Sequence, residues 1–73
     1  MYINENKEQI ISTIDPSKNI ITLLDGSKWE VVGINTYKLP LWLIADKAVV
    51  KKSVLNFQIT NTNRNETIDV KQI

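Results

Sequence analysis

The stretch Ile20 to Val32, I-I-T-L-L-D-G-S-K-W-E-V-V, constrains the fold more than any other part of the chain, because two runs of strand-forming residues flank Asp25-Gly26. An Asp-Gly pair between such runs is a strong short-range signal of a β-hairpin. Side chains alternate between the two faces of a strand, so the length of the loop decides which residues face the same way. A two-residue loop would put Trp29 and Val31 with Ile20, Thr22 and Leu24, and leave Ile21 and Leu23 with Lys28 and Glu30. A three-residue loop, Leu24-Asp25-Gly26, ends a type I turn on a left-handed glycine with a G1 bulge. It gathers Ile21, Leu23, Trp29 and Val31 on one face and turns Thr22, Lys28 and Glu30 outwards. The second register separates apolar from polar, and it is the one expected.

The other segments read as strands added to this hairpin. Asp15-Pro16-Ser17-Lys18-Asn19 is a turn in which proline presets φ and asparagine tolerates the left-handed region. The strand before it, Glu8 to Ile14, is ambiguous: Ile10 and Ile14 fall on one face with Ser12, and Ile11 on the other with Thr13. Residues 1–7 are polar and read as a loosely ordered terminus that becomes fixed only if Tyr2 or Ile3 finds a groove. Ile34 to Ala45 shows no period of two, and Pro40 is placed to open one helical or 3-10 turn near Pro40–Ile44, over a barrel end. A second hairpin, Ala48 to Lys52 and Val54 to Thr60, reads best with a tight Lys52-Ser53 turn pairing Val50 with Leu55 and Ala48 with Phe57. The polar run Asn61 to Glu66 is a turn around Asn63-Arg64, and it leads to a last strand, Thr67 to Gln72, whose Ile68 and Val70 match Ile59 and Phe57.

Short strands punctuated by turns at this spacing predict a single all-β domain over 1–73, a small SH3-like or OB-like barrel of about six short antiparallel strands. Closure would also remove the exposed edges that so short a chain cannot cover. The alternative is an open, curved sheet that dimerises through its first or last strand.

Several functions are excluded by what the chain lacks. A domain of 73 residues has little room for a deep cleft. It has no cysteine and no histidine, which removes disulfides, the common nucleophile-base pairs, the usual zinc sites and the usual pH switch. No pair of carboxylates is spaced for acid-base work or cation binding, so the expectation is no enzyme, no catalytic residues, no metal and no cofactor. Nine Lys and Arg against eight Asp and Glu leave a net charge of +1, too small for global steering towards nucleic acid or an acidic membrane. The longest apolar run, Leu39 to Val50, is interrupted by Pro40, Asp46 and Lys47 and is too short to span a bilayer. The first residues carry no signal-peptide pattern, so the chain is expected to be soluble, cytoplasmic or a processed exported domain.

The combination I-T-L-L-D-G-S-K-W-E-V, then W-L-I-A-D-K-A-V-V, then F-Q-I-T-N-T-N-R-N-E-T-I resembles a group of small bacterial all-β barrel proteins. They share the pattern I-x-L-x-D-G-S-x-W-x-V, W-x-x-x-D-x-V and a late N-x-x-x-x-E-x-V/I. The resemblance spans Ile11 to Val70 and implies a fold, not an activity. This chain has Ala45-Asp46 where a Gly-Asp turn is more usual.

The expected function is that of a non-catalytic interaction module binding a protein, a peptide or its own copy. Leu39, Leu41, Leu43 and Ile44 cannot all be buried beside one turn, so the contact surface is expected around Tyr37, Lys38, Leu39 and Trp42. Trp29 and Trp42 are otherwise ordinary core aromatics. The alternative is single-stranded nucleic-acid binding, with Lys51 and Lys52 as a phosphate patch beside Tyr37, Lys38 and Trp42. Adjacent lysines at an exposed hairpin tip are the plainer explanation of that pair.

Overall fold

The computed structural model describes residues 2–32, 42–54 and 56–73. Among the described residues the chain forms six strands: β1 (Glu8–Asp15), β2 (Ile20–Leu23), β3 (Lys28–Val31), β4 (Lys47–Lys52), β5 (Phe57–Asn61) and β6 (Glu66–Gln72). They close into a barrel in the order β1-β2-β3-β6-β5-β4, with all neighbours antiparallel. Two meanders, β1-β2-β3 and β4-β5-β6, are thus joined along both sides. Every strand is paired on both sides, which removes the open-sheet alternative with its free edge.

The first hairpin has the expected register. Ile21 lies opposite Trp29 and Thr22 opposite Lys28. The Leu23 N–H bonds the Ser27 carbonyl and the Gly26 N–H the Leu23 carbonyl, both at 2.9 Å, so Leu24-Asp25-Gly26 is the loop. Gly26 has φ 88°, the left-handed corner that the bulge requires. The ambiguity of β1 also has a structural cause. Ile11 pairs with Leu23 but Thr13 with Thr22, so a bulge at Ser12 changes parity in mid-strand. Ile11 before it and Ile14 after it can then both pack on the core, while Ile10 stays outside.

The second hairpin differs from the expectation. Val50 lies opposite Ile59 and Lys52 opposite Phe57, so the connection is the four residues 53–56, not a tight Lys52-Ser53 turn. Both loops are even, and the faces are unchanged. The longer loop closes on itself, with the Ser53 N–H bonding the Asn56 carbonyl at 2.9 Å, and it brings Asn61 opposite Ala48. Leu55 lies outside the described residues. In the third hairpin Ile59 pairs with Ile68 and Phe57 with Val70, as expected, around a turn centred on Asn63-Arg64.

The core is filled by Ile11, Ile21, Leu23, Trp29, Val31, Ala48, Val50, Ile59, Ile68 and Val70 from the strands, joined by Tyr2 and Trp42 from outside them. Trp29 is at its centre, edge-on to Tyr2 at 4.8 Å and to Phe57 at 5.2 Å between ring centres. Tyr2 is buried against this core, and the Asn6 N–H bonds the Val50 carbonyl at 2.7 Å. Of the helical or 3-10 turn expected near Pro40–Ile44, Pro40 and Leu41 lie outside the described residues. Trp42 and Leu43 are in neither helix nor strand. Leu43 to Asp46 is instead a β-turn, closed by the Asp46 N–H to the Leu43 carbonyl at 3.1 Å. Among the described residues no helix is long and apolar enough to cross a membrane.

Candidate interaction surface

Two hydrogen-bonded clusters position the surface of the barrel. At the first hairpin, Asp25 Oδ1 accepts from the Ser27 N–H at 2.9 Å and from Ser27 Oγ at 2.6 Å. Ser27 Oγ in turn accepts from Trp29 Nε1 at 2.8 Å. The D-G-S-x-W sequence is thus one unit: aspartate folds the turn, glycine supplies its left-handed corner, and serine satisfies the indole of a buried tryptophan. Asp25 Oδ2 receives Asn4 Nδ2 at 2.8 Å and the Tyr2 hydroxyl, which the Gln9 amide also meets. Burial pushes the Asp25 carboxyl up, but the bonds from Ser27, Tyr2 and Asn4 outweigh it and hold the group well below the usual carboxylate range. Burial, and then the bond to Asp25, pushes the Tyr2 phenol up.

The second cluster joins the segment before β4 to the β5–β6 turn. Asp46 Oδ2 accepts from the Leu43 N–H at 3.0 Å, from Asn61 Nδ2 at 2.9 Å and from Arg64 Nε at 3.0 Å. The Leu43 N–H, the Asn61 amide and Arg64 keep its carboxyl low. Asn61 is fully buried and its Oδ1 accepts the Arg64 N–H at 3.1 Å, while Trp42 Nε1 donates to Glu66 Oε1 at 2.9 Å. Polar side chains from turns and strands therefore meet in pairs: Asp25 with Ser27, Trp42 with Glu66, Asp46 with Asn61. They hold turns to strands.

Of the expected contact residues, Tyr37, Lys38 and Leu39 lie outside the described residues. Trp42 is buried, with its indole N–H bonded to Glu66. Lys51 and Lys52 are exposed but lie within β4, not at a tight hairpin tip. Lys51 faces Gln58, whose Nε2 donates to Asp69 Oδ1 at 3.0 Å, so the row across the sheet runs from a cation to a carboxylate.

Other apolar side chains are exposed, Ile3, Val54 and Ile73 among them. Leu43 is 57% exposed and Ile44 62%, on the turn that Asp46 fixes; Leu24 is 68% exposed at the first loop position of the hairpin, and Ile10 41%. Backbone bonds bring them to one stretch of β1. The Leu24 N–H bonds the Ile10 carbonyl and the Ala45 N–H the Ile11 carbonyl, both at 2.9 Å, so the two turns rise on either side of Ile10 and Ile11. Between Ile10 and Leu24 lies an open depression of about 350 Å³, bordered by Glu8, Gln9 and Asp25. Its signal in the sequence was Leu24 itself, a large apolar residue at a turn position with no strand partner. Ile10 was hidden by the bulge. A second depression, about 340 Å³, lies among Val32, Ser53, Val54, Asn56, Gln58 and Asp69. Among the described residues no three His, Cys, Asp or Glu side chains are grouped to hold a metal ion. Comparison with known protein families, curated proteins and solved structures finds no match to this chain.

Proposed function

We propose that this protein is a non-catalytic interaction module that binds a protein or peptide through Ile10, Leu24, Leu43 and Ile44. Small barrels of the SH3-like and OB-like kind carry many functions, so the argument rests on the surface and not on the fold. The observation that carries it is the exposure of Leu43 and Ile44 on a turn held rigid by Asp46, opposite Leu24 across the same strand. Ordered turns lose little entropy when they dock, and exposed apolar groups gain by being covered. Strand addition is closed to a partner of this barrel, so recognition falls to side chains. Nucleic-acid binding has less support, since Lys51 shares its row with Gln58 and Asp69 instead of continuing a basic track.

The test is NMR chemical-shift mapping against fractionated cell lysate, against a mixed single-stranded oligonucleotide, and on dilution of the protein alone. Perturbations at Ile10, Leu24, Leu43 and Ile44 that are indifferent to salt and absent in Leu24→Ser/Ile44→Ser are expected; dilution reports whether the partner is a second copy. Perturbations confined to Lys51 and Lys52 and weakening steeply with salt would refute the proposal in favour of nucleic acid.

A further inference from the structure

At the first hairpin an aromatic ring and a carboxylate together hold the side chain of Tyr2. Tyr2 is 5% exposed although it belongs to no strand. Its ring meets the edge of Trp29 at an interplanar angle of 87°, and its hydroxyl reaches Asp25, Ser27 and Gln9. The aromatic wall takes any benzene ring, and the carboxylate acceptor at hydroxyl distance is what distinguishes a phenol.

The residues around Tyr2 are also tied to the barrel by bonds that do not involve it. Trp29 is held by β3 and by the bond from its Nε1 to Ser27, and Ser27 is held by Asp25 through two bonds, all within the hairpin. Gln9 is fixed in β1 opposite Ala48. The segment carrying Tyr2 is attached more lightly. Two of its backbone bonds, Glu5 to Tyr2 and Lys7 to Asn4, are internal to it. To the barrel it is joined by the Asn6 N–H, by the Asn4 side chain and by Tyr2 itself, while Ile3 between them is almost fully exposed.

We propose that this pocket is a binding site for a tyrosine side chain, preformed by Trp29, Asp25, Ser27 and Gln9 and occupied in cis by Tyr2, so that a partner presenting a tyrosine binds by displacing residues 2–6. The proposal is independent of the apolar surface around Leu43 and Ile44. The short tether gives Tyr2 an effective concentration of about millimolar or above, so the site is closed to dilute phenols until the plug is withdrawn.

The experiment is Tyr2→Gly in the full chain, with p-cresol, which is the tyrosine side chain, compared with toluene, which lacks only the hydroxyl. Thermal unfolding and the Trp29 indole NMR signal are the readouts. At ten times its dissociation constant p-cresol should raise the melting temperature of Tyr2→Gly by roughly 6–11 °C. Toluene should do much less, and wild type should respond to neither. If Tyr2→Gly is unfolded alone, p-cresol and not toluene should restore a dispersed amide spectrum. Equal effects of the two compounds would reduce the site to an apolar hole; no effect of p-cresol, or the same shift in wild type, would overturn the proposal outright.

Discussion

Ala45→Gly should make the barrel more stable. Ala45 is the third residue of the Leu43–Asp46 turn and has φ 80°, a conformation that a type II turn reserves for glycine. An L-residue in the left-handed region costs roughly 1–2 kcal/mol, which glycine avoids. Against this, glycine widens the unfolded ensemble, returning about 0.4–1 kcal/mol. Ala45 is exposed, so losing its methyl opens no cavity, and its N–H keeps the bond to Ile11. The net gain is about 0.5–1 kcal/mol, or roughly 2–8 °C in melting temperature for a domain of this size. Urea unfolding followed by tryptophan fluorescence should show a higher midpoint at unchanged slope. Gly26→Ala is the mirror experiment. Gly26 has φ 88° and no atom within 4 Å of an added Cβ, so its cost is purely conformational, about 1 kcal/mol of lost stability. A lower midpoint for Ala45→Gly would refute the reasoning, and so would an unchanged one for Gly26→Ala.

Trp29→Ala removes a fully buried ring and its contacts with Tyr2 and Phe57, at about 3–5 kcal/mol, much of what a domain of this size possesses. No cooperative unfolding transition should remain near room temperature, and a native-like melting temperature would contradict the hairpin register. Asp25 and Asp46 both titrate lower in the folded chain than in the unfolded one, so their stabilisation is present above about pH 4 and is lost as pH falls towards their folded values. Acid titration of stability should fall more gently in Asp25→Asn, and an identical slope would contradict the assignment.

The first hairpin was legible from its residues because parity allowed one clean loop length around Asp25-Gly26. The third was legible for the same reason, since Ile68 and Val70 had Ile59 and Phe57 to match. The second was not, because parity cannot tell a two-residue loop from a four-residue one, and the choice fell to Ser53 and Asn56 closing on each other. The Ser12 bulge broke the period in β1 and hid Ile10 as an exposed residue. Tyr2 sits in a polar stretch with nothing to mark a core residue; its partners Trp29 and Asp25 lie far along the chain. Trp42 was ambiguous for a related reason, since the Glu66 that accepts its indole N–H lies far along the chain.

The doubling of the meander has a kinetic consequence. Each half is a run of consecutive hairpins, elements that form in microseconds. The two seams that unite the halves pair residues far apart along the chain, Gln9 with Ala48 and Val31 with Val70. Once either seam zips, the other is already in register and closes at almost no further entropic cost, so the first long-range encounter is the barrier. Substitutions within a single hairpin should then chiefly speed unfolding, while those in β1 facing β4 or in β3 facing β6 slow folding itself.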